Sequence, residues 1–205
     1  MPTVPTPVPG VPPEPLFRQP WPSGEDDGEF RLFQLGFVTG DLLGTAARWA
    51  AVFGVGPFHV LPSREVDATL HGEPAPIEMQ VAVAQAGPVQ IELITQPCDR
   101  PSIYREMQAS AGGGAAFHQL CTVAPDYDRT CAGYQALGYE LACEITGGGQ
   151  RVAFFDTVAD FGFWTEVAEE VPGFLTAVAG IAETCRTWDG TDPVRILTRD
   201  GYRVP

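Results

Sequence analysis

Residues 30–42 read FRLFQLGFVTGDL, and residues 115–125 read AAFHQLCTVAP. Both stretches alternate apolar and polar side chains as a half-buried strand does. Each runs into a helical pattern. DLLGTAARWAAVFG (41–54) has Leu43, Ala47, Ala50 and Ala51 on one face and Gly54 as a stop; DYDRTCAGYQALGY (126–139) has an acidic first turn and a glycine near its end. Three strand-like runs follow each helix: GPFHVLP, IEMQVAVAQAG and PVQIELITQP after the first, ELACEIT, RVAFFDT and FGFWTEVAEE after the second. The order βαβββ therefore occurs twice, a weak internal repeat. Gln34 heads the first copy and His118 the second, with QLGFVTGDL set against HQLCTVAPDY at the expense of one inserted residue. The reading is an α+β domain over residues 29–170, made of module one (29–97) and module two (114–170).

The flanks differ in kind. Residues 1–28 hold nine prolines and end in an acidic run. Proline fixes φ and removes a donor, so this arm is expected to be extended, packing Leu16, Phe17 and Trp21 on a partner subunit or lying in solvent. In residues 171–205, Phe174, Val178, Ile181, Cys185 and Trp188 recur at helical spacing, which predicts an amphipathic helix covering the domain, followed by a tail lying over the surface.

Twenty-six acidic residues stand against 12 basic ones, all arginine, for a net charge of −14. Such a surface repels phosphate backbones, which argues against nucleic-acid binding. No apolar run approaches the length of a membrane helix. The cysteines at 98, 121, 131, 143 and 185 stand apart, the pattern of reduced thiols in a cytoplasmic protein. Nucleophile-elbow, P-loop and dinucleotide-fingerprint motifs are absent.

Four polar residues interrupt otherwise apolar strands: Gln34 in FQL, Glu92 in IEL, His118 in FHQ and Glu166 in TEV. Side chains alternate faces along a strand, so each of these strands turns a polar group toward one face. A buried, unpaired carboxylate costs several kcal/mol or more. Four such groups converging on one cavity make sense around a cation; the bland alternative is a set of remnants in a fold that has lost its metal. His59 and His71 have no such company and read as surface or structural residues. Glu78 reads as a charge at a strand start, with a lesser candidacy as a base at the cavity rim.

The stretches QLGFVTGDL, VQIELITQP, FHQLCTVAPD and RVAFFDTVADFGFWTEV resemble the vicinal oxygen chelate superfamily, which includes glyoxalase I and methylmalonyl-CoA epimerase. The resemblance spans roughly residues 30–168. It implies paired βαβββ modules whose strands form a cupped mixed sheet around one divalent metal, with Gln34, Glu92, His118 and Glu166 as ligands. That set most resembles glyoxalase I of the eukaryotic kind; a single histidine argues against the two-histidine iron dioxygenases. Oxygen-rich ligands with one imidazole suit Zn, Ni, Co, Mn or Mg. The implied chemistry is proton abstraction next to a carbonyl by an isomerase, epimerase or lyase. The metal would act as Lewis acid, with Glu166, or failing it Glu92, as base. A metal-independent module that binds or sequesters an apolar ligand is the alternative.

Arg100, Arg105 and Arg151 are the candidate contacts for an anionic thioester. Gly147–Gly149 form either a mobile loop over the cavity or an ordinary hairpin turn. Phe154, Phe155, Phe161, Phe163 and Trp164 can line an apolar pocket, so Arg151, Phe154 and Trp164 are the expected substrate contacts. A homodimer is the expected assembly.

Overall fold

The computed structural model describes residues 32–112 and 114–205; the arm over 1–28, with Leu16, Phe17 and Trp21, lies outside them. The first module comprises β1 (Leu32–Val38), α1 (Leu42–Phe53), β2 (Phe58–Val60), β3 (Arg64–Leu70), β4 (Glu73–Pro74), β5 (Ile77–Ala86) and β6 (Val89–Thr95). A short helix, α2 (Ile103–Ser110), leads to the second: β7 (Ala116–Ala124), α3 (Tyr127–Ala136), β8 (Leu141–Gly147), β9 (Gln150–Phe155), α4 (Val158–Phe161) and β10 (Trp164–Glu169). The chain continues through α5 (Pro172–Arg186), β11 (Val194–Thr198) and β12 (Gly201–Arg203). The βαβββ repeat is present, with β3, β4 and α4 added to it.

The two modules begin alike. Asp41 caps α1 by accepting from Gly44 N, and Asp126 caps α3 by accepting from Arg129 N, each satisfying a free helix-end donor. The face of α1 that packs on the sheet is Leu42, Thr45, Ala46 and Ala50, whereas Leu43, Ala47 and Ala51 are exposed. This corrects the expected stripe by one residue. Both stripes have i, i+4 spacing, and only contact with Leu93 and Ile91 on the sheet selects between them.

The order β6-β1-β7-β10 forms the centre of the sheet, with β1 and β7 antiparallel and β6 and β10 each parallel to its own module's first strand. Beyond this centre run β5 and β2 on one side and β9 and β8 on the other. Strand β3 then crosses the gap. Its first half pairs with β5 (Val66 with Ile77) and its second half with β8 (Ala68 with Ile145). Eight strands thereby close into a ring, β5-β6-β1-β7-β10-β9-β8-β3, and the cup becomes barrel-like. The tail does not simply lie on the surface: β11 pairs in parallel with β2 and carries β12 on its outer edge.

One end of the barrel is filled. Ile103 and Tyr104 of α2, both buried, join Val38, Ile94, Phe154 and Trp164 in a core drawn from strands all around the ring. Burying side chains of this size contributes roughly 1.5–3 kcal/mol each. Ser102 caps α2 by accepting from Arg105 N, which sets the angle at which the helix enters. At the other end α5 lies across the opening. It has no fully buried residue, and Phe174, Val178, Ile181 and Cys185 form its half-buried face. That is the expected amphipathic stripe, and Trp188 just beyond the helix continues it against Gly56.

Candidate active site

Between the α2 plug and α5 lies a cavity of about 500 Å³. Gln34, Glu92, Gln119, Cys121 and Glu166 present polar groups to it, and Phe154, Val81, Ile145 and the α5 stripe supply apolar wall. Strand register explains the polar cluster. Gln34 lies opposite Cys121, and Gly36 opposite Gln119, across the β1–β7 seam. In the flanking strands Glu92 pairs with Gly36 and Glu166 with Cys121. All of these positions share the inner face, so the two carboxylates reach the cavity from opposite sides of the seam. Gly36 has a specific task here: a methyl group at its position would overlap the Gln119 amide.

His118 does not line the cavity. The seam carries two bulges. Phe33 is the extra residue on β1, between Leu32 and Gln34, and His118 is the extra residue on β7, between Phe117 and Gln119. A bulge interrupts alternation and re-aims side chains. His118 is fully buried among Tyr104, Phe154 and Trp164, its ring 4.7 Å from that of Tyr104. The expected quartet is therefore corrected at one corner. Gln119, the neighbour of His118, is the module-two counterpart of Gln34. FQLGFVTGD and HQLCTVAPD align without a gap, pairing Phe33 with His118, Gln34 with Gln119 and Asp41 with Asp126. The shared helix-capping aspartates were the signal that could have set this register; a one-residue slip moves every side chain to the other face.

The polar groups are linked in one direction. Gln119 Nε2 donates to Glu92 Oε2 (2.9 Å), so the Gln119 carbonyl oxygen faces His118 and accepts from Nδ1. This holds the imidazole as the Nδ1–H tautomer. His118 Nε2 is buried without a hydrogen-bond partner, and burial pushes the ring's pKa down to about 4, against the Gln119 bond, which favours the charged form. Gln34 Nε2 donates to Gln90 Oε1 (2.8 Å). Burial raises Glu166 to about 7, while the side chains of Cys121 and Gln119 pull it back. Glu92 is raised well above the usual carboxylate range, first by burial and then by the Glu166 charge, with the Gln119 bond opposing. Burial and both glutamates raise the Cys121 thiol. Glu166 Oε2 is buried with no partner. Burial and the neighbouring Glu166 charge both disfavour ionising Glu92, so the two carboxyls titrate as a coupled pair, both shifted upward.

These residues do not fit the four-ligand metal centre expected from the sequence. The His118 ring belongs to the plug core, and the Gln119 oxygen that could replace it is engaged by His118. Among the described residues no group of three or more His, Cys, Asp or Glu side chains could hold a metal ion.

The remaining expected contacts separate. Phe154 lines the cavity; Trp164 is buried in the plug core. Arg151 does not line the cavity: it pairs with Glu169 and Asp128 and lies over the Tyr127 ring. Arg100 pairs with Glu65 and Arg105 with Asp99. Phe155 is core, while Phe161 and Phe163 stack on one another away from the cavity. Gly148 and Gly149, both at positive φ, make the two-residue β8–β9 hairpin turn and lie at the cavity mouth. His59 is buried in β2, and His71 pairs with Glu140. Glu78 is half-buried, accepts a hydrogen bond from Ser63 Oγ and lies outside the lining.

A sequence model of the Glyoxalase/Bleomycin resistance protein/Dioxygenase superfamily matches residues 33–154. No curated relative matches the chain by sequence. Among solved structures, methylmalonyl-CoA epimerase from Mycobacterium tuberculosis is similar at 18% identity and a TM-score of 0.50, covering 71% of this chain and 91% of that one. A Streptomyces coelicolor methylmalonyl-CoA epimerase variant in complex with 2-nitronate-propionyl-CoA is similar at 18% identity and a TM-score of 0.52, covering 69% and 95%. A hypothetical protein from Bacillus halodurans C-125 is similar at 14% identity and a TM-score of 0.50. At these identities the likeness is one of fold.

Proposed function

The chain belongs to the Glyoxalase/Bleomycin resistance protein/Dioxygenase superfamily, and from that premise we propose that it is an isomerase or epimerase that moves a proton at a carbon next to a carbonyl, using Glu166 and Glu92 as an acid–base pair. The observation that carries this reading is the pair itself: a buried carboxylate, Glu166, and a half-buried one, Glu92, approach one largely apolar cavity from opposite sides, with no cation paired to either among the described residues. A fold retains such a costly arrangement where its proton affinity is used.

The pair holds one proton. Glu166 as carboxylate removes the proton from the carbon; the C–H electrons become the new C=C bond, and the carbonyl oxygen takes the proton that Glu92 held. The enol then returns its oxygen proton to Glu92, and carbon takes a proton either from Glu166 on the original face or from Glu92 on the opposite face; the pair holds one proton at the end in each case. Gln119 fixes one oxygen of Glu92 and leaves the other to the substrate. General acid–base catalysis of this kind contributes on the order of 10²–10⁴-fold.

The test is deuterium exchange at the carbon-bound proton, followed by NMR in D₂O with hemithioacetal, 2-methylacyl-CoA, cyclic ketone and ester substrates, on protein treated with EDTA and checked by elemental analysis. Glu166→Gln is expected to lose at least about 100-fold. Exchange undiminished in Glu166→Gln would overturn the role of the pair. Activity that EDTA removes and one divalent ion per chain restores would return the metal-dependent reading. The predominantly apolar wall favours one second reading, a module that binds a ligand without turnover; its mark is tight binding with no exchange in wild-type protein.

A further inference from the structure

The Glu92/Glu166 cavity is roofed by a helix beyond the residues that the superfamily model matches. That match ends at residue 154, and α5 begins at Pro172. Its half-buried face lies over the open end of the barrel, where Phe174, Val178 and Ile181 line the cavity. Phe174 meets Phe33, the bulged residue of β1, edge-on at 5.3 Å. The C-terminal end of the helix is pinned. The Gln85 backbone N–H donates to Cys185 Sγ (3.2 Å), Cys185 donates to Pro57 O (3.6 Å), and Trp188 sits on Gly56. Its N-terminal end, by contrast, begins at Pro172 with no capping side chain.

The charge of the enclosed space is equally specific. Inside it stand two carboxylates. At its rim one cation, Arg64, lines it among the described residues, next to Gly148. The arginines that could have met phosphates are engaged elsewhere by Glu65, Asp99, Glu169 and Asp128. Phosphate and carboxylate recognition calls for clustered, forked guanidinium contacts. A volume near 500 Å³ is in the range of pockets that enclose a whole small ligand.

We propose that the substrate is a small, uncharged, mainly apolar carbonyl compound held entirely beneath α5, and that phosphate-bearing thioesters are excluded. The inference rests on the proton-transfer reading for the word carbonyl, but the enclosure and its selectivity for neutral ligands stand apart from the chemistry.

Two fluorescent probes of one shape separate the possibilities: neutral N-phenyl-1-naphthylamine and its sulfonated analogue 1-anilinonaphthalene-8-sulfonate. The neutral probe is expected to bind at least tenfold tighter, to be displaced by neutral cyclic ketones and esters, and to lose at least tenfold in Val178→Trp, which fills the space under α5. Arg64→Gln should change neither affinity more than twofold. Thermal melting of Val178→Trp is run alongside, and Ile181→Trp replaces it if that variant fails to fold. Equal or tighter binding of the sulfonate, a tenfold loss in Arg64→Gln, displacement by a 2-methylacyl-CoA, or failure of every neutral compound to bind overturns the inference. The two readings fail differently. A neutral ketone that binds beneath α5 but never exchanges its proton sinks the proton-transfer reading alone; a CoA thioester that exchanges sinks the substrate class alone.

Discussion

The two ends of the barrel are built from equivalent parts and used oppositely. In each module the last strand is followed by a helix: α2 after β6 and α5 after β10. Each helix meets the bulged residue of one module's first strand. Tyr104 of α2 stacks on His118, and Phe174 of α5 meets Phe33. Yet α2 drives Ile103 and Tyr104 into the barrel until both are buried, while α5 stays on the rim with no buried residue. One end becomes core and the other a roofed cavity. The lesson concerns the bulges. The same local irregularity supplies a stacking partner for the plug at one end and part of the roof contact at the other, leaving Gln34 and Gln119 in equivalent places between them.

The most severe way to break this contrast is to empty the plug. Tyr104→Ala removes a buried ring from the centre of the core and is expected to cost about 3–5 kcal/mol, measured by urea unfolding. A cost under about 1 kcal/mol would mean that α2 does not fill the barrel.

The carboxylates between the ends come next, with a pH signature. Glu166 has a folded pKa raised to about 7, so its contribution to stability is full below the unfolded value near 4.5 and is lost as pH rises through 7. Glu166→Gln removes that loss and is expected to raise stability at pH 8 by on the order of 3 kcal/mol while activity falls. Equal stability curves for wild type and variant between pH 5 and 8 would contradict it.

His118→Phe sharpens the comparison by giving module two the residue of module one. It keeps an aromatic ring in the plug and removes a buried nitrogen without a partner, so stability at pH 7 is expected to change by less than about 1.5 kcal/mol. The sign with pH is opposite to that of Glu166. The folded pKa of His118 is lowered to about 4, so its contribution is present above the unfolded value of 6.5 and is lost as pH falls through 4. The variant should therefore resist acid unfolding better than wild type in a circular-dichroism titration. Activity should fall only modestly, because Gln119 loses an orienting bond and no group leaves the cavity.

The gentlest change is at the roof. Phe174→Ala is expected to shift stability by under about 1 kcal/mol, because the ring is only half buried, and to speed release of N-phenyl-1-naphthylamine in stopped-flow fluorescence. A loss as large as that of Tyr104→Ala would erase the distinction between roof and plug.

Much of this was legible in the sequence because it depends on local pattern. Alternation marked the strands, including QIELI and FWTEV with their inward glutamates, and i, i+4 spacing marked α5. What escaped was set at a distance. REVDATL alternates weakly, and it becomes β3 because β5 and β8 flank it on the closing side. The segment around Ile103 and Tyr104 is too short to show a face, and only the barrel interior selects it. RILT of the tail becomes β11 by pairing with three residues of β2, some 135 positions earlier in the chain. Of the four polar residues singled out in the strands, Gln34, Glu92 and Glu166 line the cavity, but alternation assumes a regular strand. The bulge at His118 removes that assumption and hands the fourth corner to Gln119.

The central claim, that Glu92 and Glu166 hold a shared proton inside the cavity beneath α5, is tested most directly by following their carboxyl carbons by ¹³C NMR across pH 3–10, with Glu92→Gln and Glu166→Gln for assignment. The expected result is one carboxyl that loses its proton near pH 7 and a second that remains protonated above it, with the survivor's midpoint falling when its partner is neutralised. Two carboxyls fully ionised by pH 5, each indifferent to the other's replacement, would contradict the account.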